Sequence, residues 1–557
     1  MKMKERMLLY LVDRYPEVLS HLRADGAYLT DEGKKQIYAQ CDGLYFAALY
    51  AYDHPKNPYY KNGETLGWCV KCWEFYYTLT KENGKTQIIT YDQYWHDHYE
   101  EWCTLHWLST IGLVGGCLEP ERLARWRERC YAGCEGVYAH VKQELEDGSL
   151  ADKLSRRGVA NHYLWETVCA YRYGDVTGRR DITDNCVKVM EMAADGKHPA
   201  GTWLEGGSLV VGYSAVSYGA FAQFNDFSNN KHPKIAQTVK DAAVYILNTN
   251  YGVLGGHIAA LDTRQRYSGS HAGGMSYQPG SLCGDAFMDQ FISVNMARLE
   301  NNPVKMTGQG LGFFMEFFLT MPESAETVPY DALKPDPDYK IGDMKARVMR
   351  RGKWVVPMCC HEQQTFNNRW ILERCNLFSV YCEGAGEIVG GGHSTSTPHL
   401  SCFEIIQNGV CEYLPKNTAL LNNGMALEYN GARCTITFDI TDNKVAVTYR
   451  IDGLLETAAA YVHIPLYVAM SDHVVVNGAE IKLINGEYAS ACLSLGHSLK
   501  HGGAHLTLNR DAILTYPENG FNPYLQVQKP NIGERYAVLT CALNYAVPEA
   551  TLTIEAF

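Results

Sequence analysis

Residues 434–451 read CTITFDITDNKVAVTYRI, and this stretch decides the fold of the second half of the chain. Cys434, Ile436, Phe438 and Ile440 alternate with polar residues, Thr441-Asp-Asn-Lys444 supplies a turn, and Val445, Val447, Tyr449 and Ile451 alternate again. A period of two on both sides of a turn predicts an antiparallel hairpin with one buried face. Leu506 and Leu508, Tyr536 and Val538, and Leu552 and Ile554 repeat the pattern, so 344–557 is expected to form an antiparallel β-sandwich.

Toward the amino terminus the period changes. MPESAETVPYDALKPDPDYKIGD, residues 321–343, is rich in proline and acids and shows neither period, which predicts a linker over 326–343. Before it, Leu123, Trp126, Cys130, Val137 and Val141 fall on one helical stripe, and Ile235, Val239, Ala242 and Ile246 on another. No sustained alternation interrupts 1–325, and its loops carry Gly, Asn and Pro, as in HPKNP at 54–58. An all-α domain of many helical hairpins is expected there.

The bounds set by composition agree. A chain of 557 residues exceeds the ~100–150 of a typical domain, so two or three domains are expected. Apolar residues at 46% and charged residues at 20% are ordinary globular values that argue against long disorder. Aromatics reach 12%, with 38 Tyr, 10 Trp and 17 Phe, and such rings suit sugar faces as well as cores. Fifty Lys and Arg against 62 Asp and Glu give a net charge of −12, which argues against a general polyanion-binding surface of the nucleic-acid type; an acidic substrate would need a local basic site.

No membrane association is expected. The apolar run from Met7 to Val12 ends at Asp13-Arg14, too short for a secretory signal, and 206–224 is too polar for a span. A cytoplasmic location follows as the expectation, and the 19 scattered cysteines read as reduced thiols. Cys69-Val-Lys-Cys72 has no second ligand pair at matching spacing; Trp68, Cys72, Phe75 and Leu79 read instead as a helical stripe.

Four stretches could carry chemistry. Asn161-His162, followed by Trp165-Glu166, places an amide donor beside an imidazole at the start of a predicted helix, or equally supplies an N-cap. In Gly201-Thr-Trp203-Leu-Glu205-Gly-Gly-Ser208, Trp203 could stack on a sugar and the glycines allow close backbone approach; Tyr213 and Tyr218 follow as acid–base candidates or as core residues. Asp262-Thr-Arg264-Gln-Arg266 offers two guanidinium groups to clamp a carboxylate. Gly390-Gly-Gly-His393 through His399 is a glycine-rich turn bearing two histidines. Trp95-His-Asp-His98 is read as surface or rim, because i and i+2 do not face the same way on a helix.

Together these stretches resemble the polysaccharide lyases that join an α/α toroid to antiparallel β-sheet domains. Asn161-His162 with Trp165 resembles the Asn-His-x-x-Trp of alginate lyases. Glu205-Gly-Gly-Ser208 to Tyr218-Gly219 resembles the Asp-Gly-Ser to Tyr-Gly segment of hyaluronate and chondroitin AC lyases and the Glu-Gly-to-Tyr segment of heparinase II/III-like proteins. Asp262 to Ser268 is similar to the arginine loop of the hyaluronate lyase group, as is Arg347-Val-Met-Arg-Arg351-Gly-Lys-Trp354, whereas His393 to Phe403 is similar to the heparinase II/III β-domain. The resemblance spans 150–405 and is a mosaic: the histidine usually sited before Tyr-Gly is absent, with Gly212 nearby.

The resemblance implies β-elimination on a uronic-acid-containing oligo- or polysaccharide. Removal of the C5 proton requires the neighbouring carboxylate to be neutralised, which assigns Asn161 with Arg264 or Arg266 to that group. His162 or Tyr218 would take the proton, and Tyr218, with Tyr213 in reserve, would protonate the leaving oxygen. Tyr218→Phe is then expected to abolish turnover. Trp165, Trp203, Glu205, Arg266 and His399 would line the substrate, and His393 would complete the cleft. No cofactor is required, although the heparinase resemblance allows a divalent metal in the β-domain, and a homo-oligomer is left open. Two further readings stand beside it: a toroidal glycoside hydrolase using Glu166 and Glu205, and a carbohydrate-binding protein without turnover.

Overall fold

The computed structural model describes residues 1–556 except 38–39, 263–279, 302–305, 362–376, 391–400, 469–472, 485–486, 495–497, 502 and 519–535. The chain divides into two units. One comprises 1–204, 213–245 and 273–334; the other comprises 205–212, 246–272 and 335–557. The chain passes finally to the second unit after Lys334, and two short excursions of the helical half group with that unit as well.

Twelve α-helices occur among the described residues, from Met3–Ser20 to Gly308–Thr320. Their starts carry recognisable caps. The Asn62 side chain accepts from the backbone of Glu64 and Thr65 at the head of Gly63–Leu79, and Pro120 opens Pro120–Glu146, where a missing N–H costs nothing. The expected stripes are buried apart from the half-buried Leu123: Trp126, Cys130, Val137 and Val141 on Pro120–Glu146, and Ile235, Val239, Ala242 and Ile246 on Pro233–Asn248. Trp107 stacks on Trp73 at 5.8 Å and meets Trp126 edge-on at 6.0 Å, which fixes the contact of three helices by ring geometry. On Gly63–Leu79 the stripe runs one position from that expected, through Cys69, Cys72, Trp73 and Tyr76. Burial pushes both thiols upward, so the Cys69–Cys72 pair is packing.

One strand pair interrupts the helices, contrary to expectation. Thr86–Thr90 pairs antiparallel with Gln93–His98 through a two-residue turn, Tyr91-Asp92, with φ of 50° and 64°. Two left-handed residues match the strand twist of a tight hairpin, and Asp92 Oδ1 accepts from the Lys35 backbone at 3.0 Å. The turn lacks the Asn-Gly signal, and for that reason the pattern gives no warning of it. The strand also changes the reading of His96 and His98, because i and i+2 share a face on a strand.

Among the described residues the strands of the second unit pair antiparallel, in two large sheets. One contains Arg433–Ile440 and Lys444–Asp452, paired so that Cys434 faces Ile451, Ile436 faces Tyr449 and Phe438 faces Val447. Ala504–Leu508 and Glu549–Ala556 extend it. The other is built around Ala459–Tyr467 and Tyr536–Leu543. Phe403, paired with Val462 in the second sheet, meets Tyr449 of the first at 5.9 Å, so the apolar faces close on each other as a sandwich. The segment expected to be a linker contains a short strand, Asp338–Ile341, paired with Ala346–Arg351. Four residues are too few for a period to declare itself. Among the described residues no helix is long and apolar enough to cross a membrane.

Candidate active site in the helical unit

Asn161 and His162 open the helix Asn161–Thr177. Ala160 holds the N-cap position without a side-chain bond, so the capping alternative for Asn161 falls away. Asn161 is buried, and its amide bonds to none of the described residues. His162 is about half exposed, with 47% of its side-chain surface open. Its Nδ1 lies 2.6 Å from Oε1 of Glu101, a fully buried carboxylate at the start of Glu101–Val114, and its ring tilts over Trp102 at 4.5 Å. Burial opposes charge on the ring, but the Glu101 carboxylate outweighs it and holds the imidazole above its ordinary value. With Nδ1 engaged, Nε2 is the nitrogen left for chemistry.

Glu101 is shared. Its Oε2 is 3.8 Å from Nε2 of His98, at the end of the strand Gln93–His98. Glu166 stands one turn after His162, on the same helix face, and its Oε2 lies 2.6 Å from Nδ1 of His140 on Pro120–Glu146. Bonds to Glu144 and Glu166 push His140 up to about 10. Glu100, just before, caps the helix by accepting from the Trp102 and Cys103 backbone; burial, then the adjacent Glu101, pushes it up to about 8. A hairpin and three helices thus gather three imidazoles and a group of buried carboxylates.

Several expected residues lie elsewhere. Tyr218 is 1% exposed, packs edge-on against Phe291 at 5.7 Å, and has an unpartnered hydroxyl. Burial drives its phenol well above the ordinary range, which corrects the assignment of acid–base work to it. Tyr213 is half-buried on the same helix, Val211–Phe227. Trp165 is fully buried, donates from Nε1 to the Val216 carbonyl at 3.0 Å and packs on Phe313; Trp203 donates to the Ala193 carbonyl at 2.8 Å and stacks on Phe221. Neither ring has a face open to a sugar, so both are core residues.

Glu166 is 4% exposed and engaged by His140, which leaves no open carboxyl for a hydrolase pair with Glu205. Glu205 is half-buried in a tight turn, exchanging backbone bonds with Ser208 across Gly206 and Gly207, both at positive φ. Asp262 is buried and accepts from the Gly212 backbone at 2.9 Å, a capping duty at the start of Val211–Phe227. Arg264, Arg266, His393 and His399 lie outside the described residues.

Glu101 and His140 were not reached from the sequence, and His98 was read there as surface or rim. The one available signal was an acidic pair, Glu100-Glu101, directly before an apolar run, two residues past His98.

No family model matches the sequence, and no curated protein matches it. Solved structures do match. A chondroitinase AC lyase superposes with a TM-score of 0.50 at 10% identity, covering 100% of this chain and 82% of its own. The chain shares its fold with that lyase. Its helices correspond to the α/α toroid and its strands to the antiparallel β-domain of such lyases. A Streptomyces coelicolor A3 chondroitin AC lyase matches at 12% identity and TM-score 0.47, covering 99% of this chain and 79% of its own. A heparan sulfate lyase from Pedobacter heparinus matches at 10% identity and TM-score 0.44, covering 93% and 76%.

Proposed function

We propose that this chain is a glycan lyase that cleaves a uronic-acid-containing oligo- or polysaccharide by β-elimination at Asn161 and His162. The observation that carries the reading is the half-exposed His162 ring, anchored through Nδ1 by the buried Glu101 and adjacent to an unengaged Asn161 amide. Anchoring one nitrogen fixes the direction of the other, which is what a proton-abstracting base requires. The lyase fold and the name of its chondroitin-cleaving neighbour support an acidic glycan as the substrate class.

In this reading the Asn161 amide, with Arg264 or Arg266, binds the uronate carboxylate and stabilises the dianion formed as the C5 proton leaves. A preorganised donor of this kind commonly contributes ~3–4 kcal/mol. His162 Nε2 takes the proton. Tyr213 then protonates the leaving oxygen at C4, since Tyr218 is sealed in the interior.

The test is incubation with a panel of uronate polymers and oligomers, read by near-ultraviolet absorbance from a new C4–C5 double bond. The expected result is absorbance that rises with wild type and is lost with His162→Ala. Reducing ends without that absorbance, or an undiminished rate in His162→Ala, would overturn the reading.

A further inference from the structure

Two carboxylates in the helical unit are more deeply buried than their hydrogen bonds explain. Glu101 has no exposed surface and Glu166 only 4%. One oxygen of each meets an imidazole, His162 for Glu101 and His140 for Glu166. The second oxygen of Glu101 has no hydrogen-bond partner, and the group nearest to it is His98 Nε2 at 3.8 Å. A buried carboxylate oxygen left without a partner is costly, and such groups are normally paired or bound to a metal.

The donors suit the second solution. One atom each from His98, Glu101 and Glu166 lie within 4.8 Å of one another. Bonds of ~2.0–2.2 Å at tetrahedral angles place donors about 3.3–3.6 Å apart, so side-chain rotations that draw the donors in by about 1 Å bring all three into contact with one ion. His98 is 36% exposed in its side chain, which leaves a side open for entry and for a further ligand. Three protein ligands with an open position is the pattern of a reactive rather than a structural site. A mixed set of one imidazole and two carboxylates suits zinc or manganese better than the purely oxygen-ligated alkaline earths.

We infer that His98, Glu101 and Glu166 form a binding site for a divalent transition-metal ion, with His162 and His140 holding the two carboxylates in place from behind. The arrangement places an outer imidazole on each ligating carboxylate, which fixes its rotamer. The inference stands apart from the lyase reading, because it rests on donors that reading does not use as reacting groups.

Zinc chloride titrated calorimetrically into the full-length chain after chelator stripping, with metal content by mass spectrometry, tests it. Wild type is expected to take up one equivalent. His98→Ala should weaken binding by more than about tenfold, the scale seen even for outer-sphere partners. His96, on the same strand and 5.8 Å from the His98 ring, is the control: His96→Ala should bind as wild type does. Glu166→Gln is a second ligand variant, accepted only where its thermal transition matches wild type. No zinc uptake by wild type, or equal uptake by wild type and His98→Ala, would overturn the site. Uptake is read without substrate, so a chain that binds zinc and forms no double bond refutes only the lyase reading, and the converse refutes only this one.

Discussion

The phenol oxygen of Tyr218 fills the space where a side chain on Gly280 would begin: a methyl group built on that glycine would lie 2.3 Å from it. Gly280 also has φ +118°, a region that side-chain-bearing residues avoid. The buried hydroxyl therefore packs against a position that only glycine fills.

Gly280→Ala should destabilise the protein by about 2–4 kcal/mol, combining backbone strain with overpacking. Tyr218→Phe should do the reverse, gaining about 1 kcal/mol by removing a buried hydroxyl that has no partner. Combining the two should recover part of the Gly280→Ala loss, because the clashing atom is gone. Urea unfolding of the four proteins measures the coupling. Under the proposed mechanism Tyr218→Phe retains turnover; a collapse in rate with unchanged stability would return the acid–base role to that phenol.

His162 and Glu101 should separate kinetically. His162→Ala removes the base, and a fall in kcat of about 10²–10⁴ is expected. Glu101→Gln keeps a hydrogen-bonding group but loses the charge that orients the imidazole, so it should lower kcat by a smaller factor and leave KM nearly unchanged. Steady-state rates from double-bond absorbance decide; a Glu101→Gln effect confined to KM would contradict the orienting role.

Trp165→Ala should cost about 3–5 kcal/mol of stability, as a buried indole does. The ring lies in the core against Phe313. A thermal transition as high as wild type, with a raised KM for substrate, would place the ring at the sugar after all.

Asp226 gives a dependence on pH with a definite sign. Burial pushes its carboxyl up to about 7, against hydrogen bonds from the Ser281 and Thr320 hydroxyls. The unfolded chain titrates near ~3.9, so between about 4 and 7 the folded state holds a proton that the unfolded state has released. Stability is therefore lost as pH rises through that window, and below it the group contributes nothing. Asp226→Asn should exceed wild type by about 4 kcal/mol near pH 8 and match it near pH 4, as urea unfolding at the two values would show.

The strand pattern at 434–451 was legible residue by residue, because a face that must be buried leaves a period of two whatever surrounds it. The helical stripes were legible for the same reason. Asn161 and His162 were visible as a pair because they adjoin in sequence. Their partner was not, since Glu101 is 61 residues away and nothing local marks a carboxylate as buried. Trp165, Trp203 and Tyr218 were misread for a physical reason: an aromatic ring serves a core and a sugar-binding face equally well, and only packing separates the two. The strand that carries His98 went unread because its hairpin turns on Tyr-Asp, where strand pairing is not announced.

That hairpin is the one pair of extended strands among the described residues of its unit, and it delivers His98. The placement of this imidazole is decided at Tyr91-Asp92, several residues away. Drift in the length of a two-residue bend would withdraw the ring while leaving every helix intact, so descendants of such a chain could gain or lose a ligand by insertion or deletion alone, with no substitution among the acids.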